Sequence, residues 1–364
     1  MAKRLDRAPP GRRVCTSYPR HAGGENTMRA KSYILAISLS VATLSVAHAQ
    51  RILGPMTSDP APISVAPPPV APASVTAAAV PPSPAVARTL DASCKNPNAL
   101  GVSRVVEIDT TGGPGFGFEH FKIYDFLRPG EVVLTFDDGP WPTTPIVLQA
   151  LEEECVKAIF FAIGRNAVDY PAILKKVAEG GHSIGSHTWS HQDLTKTRGS
   201  MAIGGGKREV RDYEPKDEIE KGMSAIKIAI GDAGYEAPFF RFPQLKQPPE
   251  LMSYLGQRNV AMFSTDFDSF DFKYRKPEQV VKAVMDKLKK HGKAIVLMHD
   301  VHPWTANAVR DLLGEMKAGG YKIVHMKPKD PLKTLPEYDA LVMKEMNPLA
   351  ANARPMNSVI RTVQ

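Results

Sequence analysis

The sequence predicts an α/β fold of parallel β/α units, closed as a barrel or open as a doubly wound sheet. Three observations carry this. From about Leu90, short apolar runs alternate with longer amphipathic stretches. The apolar run Glu131-Val-Val-Leu-Thr-Phe136 leads directly into Asp137-Asp138-Gly-Pro140, so two adjacent carboxylates stand at the carboxyl end of a buried strand. In parallel α/β folds that edge is where sites are built. Composition agrees: 43% hydrophobic and 23% charged residues are ordinary for a globular chain.

The chain begins with a different kind of segment. Arg29 and Lys31 precede the apolar run Tyr33–Val46, and Ala47-His48-Ala49 follows. This is a positive region, an apolar region of signal-peptide length and an A-x-A site. The run is too short and too rich in Ser and Thr for a stable membrane span after cleavage. Met28 is read as the true start, so residues 1–49 form a leader with a signal peptide. An uncleaved anchor is the alternative. Eight basic residues and two acids lie in this leader, so most of the net charge of +8 belongs to it. The basic balance is therefore no footprint for nucleic acid. Residues 50–90 are rich in Pro and Ala, with no helical or strand period, and read as an extended tether.

Residues 91–335 read as the globular domain. Strands are expected at 131–136, 158–162, 183–186, 260–264, 294–298 and 322–325. Helices are expected at 144–154, 170–179, 216–230, 248–257, 277–291 and 306–318. Residues 197–215, with Gly204-Gly205-Gly206 and several charges, read as an exposed loop. Residues 336–364 lack a clear period and read as a tail. Cys94 and Cys155 could pair in an exported protein, but sequence leaves pairing and free thiols equally open.

A second stretch bears on chemistry: Gly181-His-Ser-Ile-Gly-Ser-His187-Thr-Trp-Ser-His191. If one turn of helix follows the strand here, His187 and His191 lie on one face. Two His and one carboxylate are a usual ligand set for a catalytic divalent metal. A metal also gives a reason for adjacent acids, since two like charges are costly unless a cation or proton holds one. His182 reads as a hydrogen-bonded core residue instead.

Thr135-Phe-Asp-Asp-Gly-Pro140 and His187-Thr-Trp-Ser-His191 resemble the first two motifs of the polysaccharide deacetylases, the NodB homology domain or carbohydrate esterase family 4. Three further motifs follow in family order. Phe240-Arg-Phe-Pro243 resembles Arg-x-Pro, Asp268-Ser-Phe-Asp-Phe272 resembles Asp-x-x-Asp-Trp, and Leu297-Met-His299 resembles Leu-x-His. The resemblance implies a distorted (β/α) barrel of the NodB homology type. It implies Asp138, His187 and His191 as metal ligands, with Zn²⁺ expected and Co²⁺ or Ni²⁺ as other occupants. It makes Asp137 the base, Arg241 its positioning partner, His299 the acid and Asp271 the partner of His299. Phe272, Leu297, Pro243 and Gln244 would form the substrate wall. The sequence departs from the family at Gln244, Phe272 and Gln192, where an aromatic residue, Trp and often Pro are usual.

The implied reaction is metal-dependent hydrolysis of N-acetyl groups on an N-acetylglucosamine polysaccharide, either chitooligosaccharide or peptidoglycan glycan. An O-acetyl esterase on acetylated xylan and a non-catalytic glycan-binding protein are the alternatives. The partner is then an acetylated glycan, and the location is exported: periplasm, cell envelope or secreted. Sequence gives no oligomeric state.

Overall fold

The computed structural model describes residues 94–204 and 207–346. The leader and tether readings lie outside these residues. The described chain runs β1 (Val102–Ile108), β2 (Gly115–Phe116), β3 (Glu131–Asp137), α1 (Thr144–Glu153), β4 (Ile159–Ala162), α2 (Gly164–Asp169), α3 (Pro171–Glu179) and β5 (Ser183–Ser186). It continues with β6 (Arg198–Gly204), β7 (Lys207–Asp212), α4 (Pro215–Ile230), β8 (Phe239–Phe240), α5 (Pro249–Gln257), β9 (Ala261–Phe263) and β10 (Phe267–Asp268). It ends with α6 (Pro277–His291), β11 (Ala294–His299), α7 (Pro303–Ala318), β12 (Lys322–Pro328) and α8 (Pro336–Met346).

Ten strands form one parallel sheet in the order β1-β12-β3-β4-β5-β8-β9-β2, with β11 paired to β3 and β10 to β11. This is a distorted barrel of β/α units, as the alternation predicts. Strand β3 is central, and all seven of its residues are buried. Its side chains alternate as strand geometry requires. Val132, Leu134 and Phe136 pack outward into the helical layer, beside Val147, Val284 and Leu313. Val133 packs inward with Phe161, Phe239, Phe263 and Ile295. Thr135 and Asp137 share the inward face with Val133, so the strand's last residue opens into the barrel mouth.

Among the described residues, six helices begin at a proline: α3, α4, α5, α6, α7 and α8. At that position the missing N–H costs nothing and the fixed φ suits the helix. These prolines are helix punctuation, unlike those of residues 50–90. Helix α6 ends on Lys289, Lys290 and His291 before left-handed Gly292, which complements its dipole and caps it. Among the described residues, no helix is long and apolar enough to cross a membrane.

The structure corrects two readings outside the site. The segment read as an exposed loop is mostly an antiparallel hairpin, paired from Arg198↔Asp212 to Gly204↔Lys207. A lone two-stranded ribbon is marginal in water, and this one is anchored at its base. The Tyr213 hydroxyl donates to the Asp193 carbonyl at 2.7 Å, and Gln192 Nε2 donates to the Ser200 carbonyl at 3.4 Å. Residues 336–346, read as tail, form α8. Its weak period hides one decisive residue, Val342, which is fully buried against Ala225 and Trp189. Tertiary contact supplies what local pattern lacks. The open question of the cysteines is answered by a Cys94–Cys155 disulfide, which ties the start of the domain to the loop after α1.

Candidate metal centre and active site

A cavity of about 1170 Å³ opens at the carboxyl ends of the strands. It is lined by Asp137, Asp138, His187, His191, Gln244, Phe272, Leu297 and His299, among others. Every predicted site residue lies at this mouth, but not all touch the cavity. Arg241 and Asp271 sit fully buried behind it. Pro243, predicted as substrate wall, is buried and does not line it. The chain turns at Pro243 so that Gln244 (φ 57°) and Leu245 (φ 57°) reach the rim instead.

Asp138, His187 and His191 converge. Asp138 Oδ1 lies 3.6 Å from His187 Nε2 and 3.5 Å from His191 Nε2. Two ligands on a tetrahedral ion with bonds of about 2.1 Å stand about 3.4 Å apart, so the spacing suits an ion of that kind. Asp138 Oδ1 is buried and has no hydrogen-bond partner. His187 Nδ1 meets the Arg241 carbonyl at 2.7 Å; a carbonyl only accepts, so Nδ1 carries the proton and Nε2 presents a lone pair. Burial first, and the neighbouring His191 second, push the His187 pKa down to about 3. A neutral imidazole lone pair thus faces an unpartnered carboxylate oxygen, an arrangement that calls for a cation.

The helical turn expected between His187 and His191 is absent. Thr188 (φ 71°) and His191 (φ 58°) hold left-handed backbone, as does Asp138 (φ 75°). Such conformations are costly for non-glycine residues and persist only when neighbours over-determine them. Here the neighbours are explicit. Gly164 and Arg165 N–H groups donate to the Thr188 and Trp189 carbonyls, both at 2.9 Å. The Trp189 N–H donates to the Glu218 carbonyl at 2.7 Å, and the Ser190 N–H to the Glu218 carboxylate at 2.8 Å. The His191 N–H donates to Thr188 Oγ1, and Asn166 Nδ2 donates to the Asp138 carbonyl at 2.7 Å. These bonds compete successfully with helix formation. The two imidazoles still meet, with ring centroids 4.9 Å apart.

Asp137 has a different environment. Arg241 Nη1 donates to Asp137 Oδ1 at 2.7 Å and to Thr135 Oγ1 at 2.7 Å, while Nη2 donates to the Ser264 carbonyl at 2.7 Å. The guanidinium also lies 4.3 Å from the Phe161 ring centroid. Arg241 fixes one oxygen of Asp137 and leaves Oδ2 toward the histidines, 3.8 Å from His187 Nε2.

Across the cavity, His299 Nδ1 donates to Asp271 Oδ1 at 2.6 Å. Asp271 Oδ2 accepts the His299 N–H and the Thr305 hydroxyl. Burial opposes the charged imidazole, but the Asp271 hydrogen bond and the charges of Asp271, Asp138 and Asp137 hold its pKa up at about 10. A cation on Asp138 would offset part of that rise.

Sequence reasoning missed several contributors. Asp300, adjacent to His299, is fully buried, and burial pushes its carboxyl up to about 7. It accepts the Thr144 hydroxyl while its backbone carbonyl accepts Thr143, which docks α1 onto the β11 end. His302 joins Asp271 and His299 in a second close group and stacks on Trp304, with centroids 4.8 Å apart. Position beside His299 was a usable signal for both. Glu218 and Asn166 carry no such signal, because the fold alone brings them to the loop. His182 stands half-buried just before β5 and accepts the Ala158 N–H, hydrogen-bonded as expected but outside the strand.

Residues 127–263 match the family model described as polysaccharide deacetylase. The chain is 32% identical over 200 residues to a peptidoglycan-N-acetylglucosamine deacetylase of Listeria monocytogenes, covering 53% of this chain and 37% of that protein. It is 29% identical over 215 residues to a chitin deacetylase of Colletotrichum lindemuthianum, covering 56% of this chain and 80% of that one. A solved peptidoglycan deacetylase of Bdellovibrio bacteriovorus superposes with a TM-score of 0.52 at 28% identity, covering 63% of this chain and 59% of the other. The chain thus spans well under half of the Listeria relative.

Proposed function

We propose that the chain, whose residues 127–263 match the polysaccharide deacetylase family model, is a metal-dependent N-deacetylase of an N-acetylglucosamine polysaccharide. The observation that carries the reading is the buried, unpartnered Asp138 Oδ1 facing two histidine Nε2 atoms within 3.6 Å, with separate acid and base candidates on either side.

Asp138, His187 and His191 would hold the ion, with Zn²⁺ the proposed occupant because the set is two imidazoles and one carboxylate. A divalent ion there would acidify bound water and polarise the acetyl carbonyl. Asp137 takes the proton from the attacking water through Oδ2, since Arg241 occupies Oδ1. A backbone N–H at Gln244 supports the developing oxyanion. His299 donates its Nε2 proton to the departing nitrogen, and Asp271 keeps the proton on Nδ1. Protonation is obligatory for an amine leaving group and less so for an alcohol, so an imidazole held protonated by Asp271 suits an N-acetyl substrate. Leu297 and Phe272 bound the space for the acetyl methyl. A disulfide fits an oxidising compartment, which supports export to the periplasm or cell envelope.

The test is acetate release from chitooligosaccharide, peptidoglycan glycan and acetylated xylan, with and without chelator. Release from the first two, lost on chelation and restored by Zn²⁺ or Co²⁺, is expected. Full activity after exhaustive metal removal refutes the reading, and release from xylan alone moves the protein to the esterases. His187→Ala should lose bound metal, whereas Asp137→Asn should keep it and lose turnover by roughly 100-fold or more.

A further inference from the structure

We propose that His120 is a specificity-determining residue for the glycan: its Nε2 atom hydrogen-bonds a sugar hydroxyl at a cavity wall built by residues 117–121. This rests on the reading of the cavity as a glycan site. Residues 117–121 lie between β2 and β3, outside the segment 127–263 that matches the family model and outside all five sequence motifs. Glu119, His120 and Phe121 nevertheless line the same cavity as Asp137, Asp138 and His299. The loop is tied to the end of β9. The Glu119 N–H donates to the Thr265 carbonyl at 2.9 Å, the Phe118 N–H to Asp266 Oδ1 at 2.7 Å, and the Ser264 N–H to the Phe116 carbonyl at 2.7 Å. Gly117 turns the chain at φ 98°, and a Cβ there would lie 2.5 Å from the Thr265 nitrogen. No side chain fits, so the turn closes on the end of β9 and sets the next residues at the cavity wall.

His120 is anchored on a buried residue. Its Nδ1 meets Ser264 Oγ at 2.7 Å, and Ser264 is fully buried. The Ser264 backbone carbonyl accepts Arg241 Nη2 at 2.7 Å, and Arg241 Nη1 holds Asp137. One serine thus fixes both the imidazole and the guanidinium behind the proposed base. Among the described residues, His120 makes no other side-chain hydrogen bond and no ion pair. Nδ1 is engaged, so Nε2 is the polar atom left to a ligand. An exposed histidine alone would be an ordinary surface group. This one is oriented by a buried hydroxyl on a pinned loop, in the cavity that holds the reacting groups, which is the pre-organisation a binding contact needs.

The chemistry selects a hydroxyl. Ser264 Oγ can donate or accept, so either tautomer of His120 is allowed and Nε2 is acceptor or donor accordingly. A sugar hydroxyl is both and matches either form. Phe121, the next residue, joins Phe242 and Met252 in one apolar cluster, and all three line the cavity. The C–H face of a sugar ring can rest on that apolar surface while a hydroxyl reaches the imidazole. An acetyl ester without a sugar offers neither contact. His120 therefore discriminates by the sugar and not by the acetyl group.

The test uses the full Zn²⁺-loaded chain, with chitooligosaccharide as the glycan and 4-nitrophenyl acetate as an acetyl donor that has no hydroxyl. His120→Ala should raise KM for the chitooligosaccharide about tenfold with little change in kcat. Its kcat/KM should fall about tenfold more on the glycan than on the ester. His120→Gln, whose amide can stand where Nε2 stood, should recover most of that loss. Calorimetry with Asp137→Asn measures glycan binding without turnover: adding His120→Ala should weaken it about tenfold, and adding His120→Gln should weaken it less. Equal losses on glycan and ester would place the effect on Arg241 and Asp137 through Ser264 and overturn the proposal. So would a glycan affinity indifferent to His120, a Gln variant no better than Ala, or no glycan binding at all. Glycan binding that depends on His120, with no acetate released by the unsubstituted chain, would refute the deacetylase reading alone.

Discussion

Two adjacent carboxylates separate by strand geometry. Asp137 is the last residue of β3 and points into the barrel, where Arg241 holds it. Asp138 leaves the strand in left-handed backbone and turns toward the histidines. The same one-residue logic governs His299, the proposed acid. His299 ends β11 opposite Asp137 in register, and Asp271 supplies both the hydrogen bond and the charge that raise its pKa. A raised pKa keeps the imidazole protonated to higher pH, and its acid function is lost as pH climbs through that value. Asp271→Asn removes the anion, so the alkaline limb of the kcat/KM profile should move to lower pH by about one unit or more. A uniform drop in rate with no shift of the limb would show that Asp271 acts only in packing.

At the scale of elements, the decisive contact is between α4 and the loop after β5. A Cβ on Gly222 would lie 2.5 Å from the Thr188 carbonyl carbon and 2.8 Å from the Trp189 nitrogen. Glycine here admits the loop backbone against the helix, which lets Glu218 capture the loop's N–H groups. Gly222→Ala improves helix propensity but forces two backbones apart, so a net destabilisation of about 1–3 kcal/mol is expected. Zn²⁺ affinity should fall with it, because His187 and His191 flank the displaced segment. Unchanged melting and metal affinity would contradict that coupling. Sequence could place β3, β5 and β11 and the histidine pair, since each carries a strand pattern or a motif. It could not find the left-handed turn, because Glu218 lies far away in the chain and acts through tertiary contact.

For the whole molecule, the barrel buries neutral histidines. Burial first, with Lys327 and Lys157 next, pushes the His325 pKa down to about 3, and His182 is lowered well below its usual value by burial. An unfolded chain binds these protons at about pH 6.5, so stability is full above that value and lost as pH falls toward the folded pKa. The raised carboxyls of Asp300 and Glu236 act in the opposite sense. The specific expectation is therefore that His325→Gln loses less stability than the parent between about pH 7 and about pH 4, read from urea midpoints. Parallel profiles would exclude His325 as a source of acid sensitivity.

The sequence by itself determined the parallel α/β alternation, the strand ends that carry Asp137, Asp138 and His299, and the order of five motifs. Those features are local, written as apolar runs, turn residues and short spacings. The tertiary structure decided the rest: that Cys94 meets Cys155, that residues 336–346 become a helix on Val342, and that Pro243 turns away while Gln244 reaches the rim. These depend on contacts between segments far apart in the chain, and no local pattern encodes which distant group will be close enough to bond.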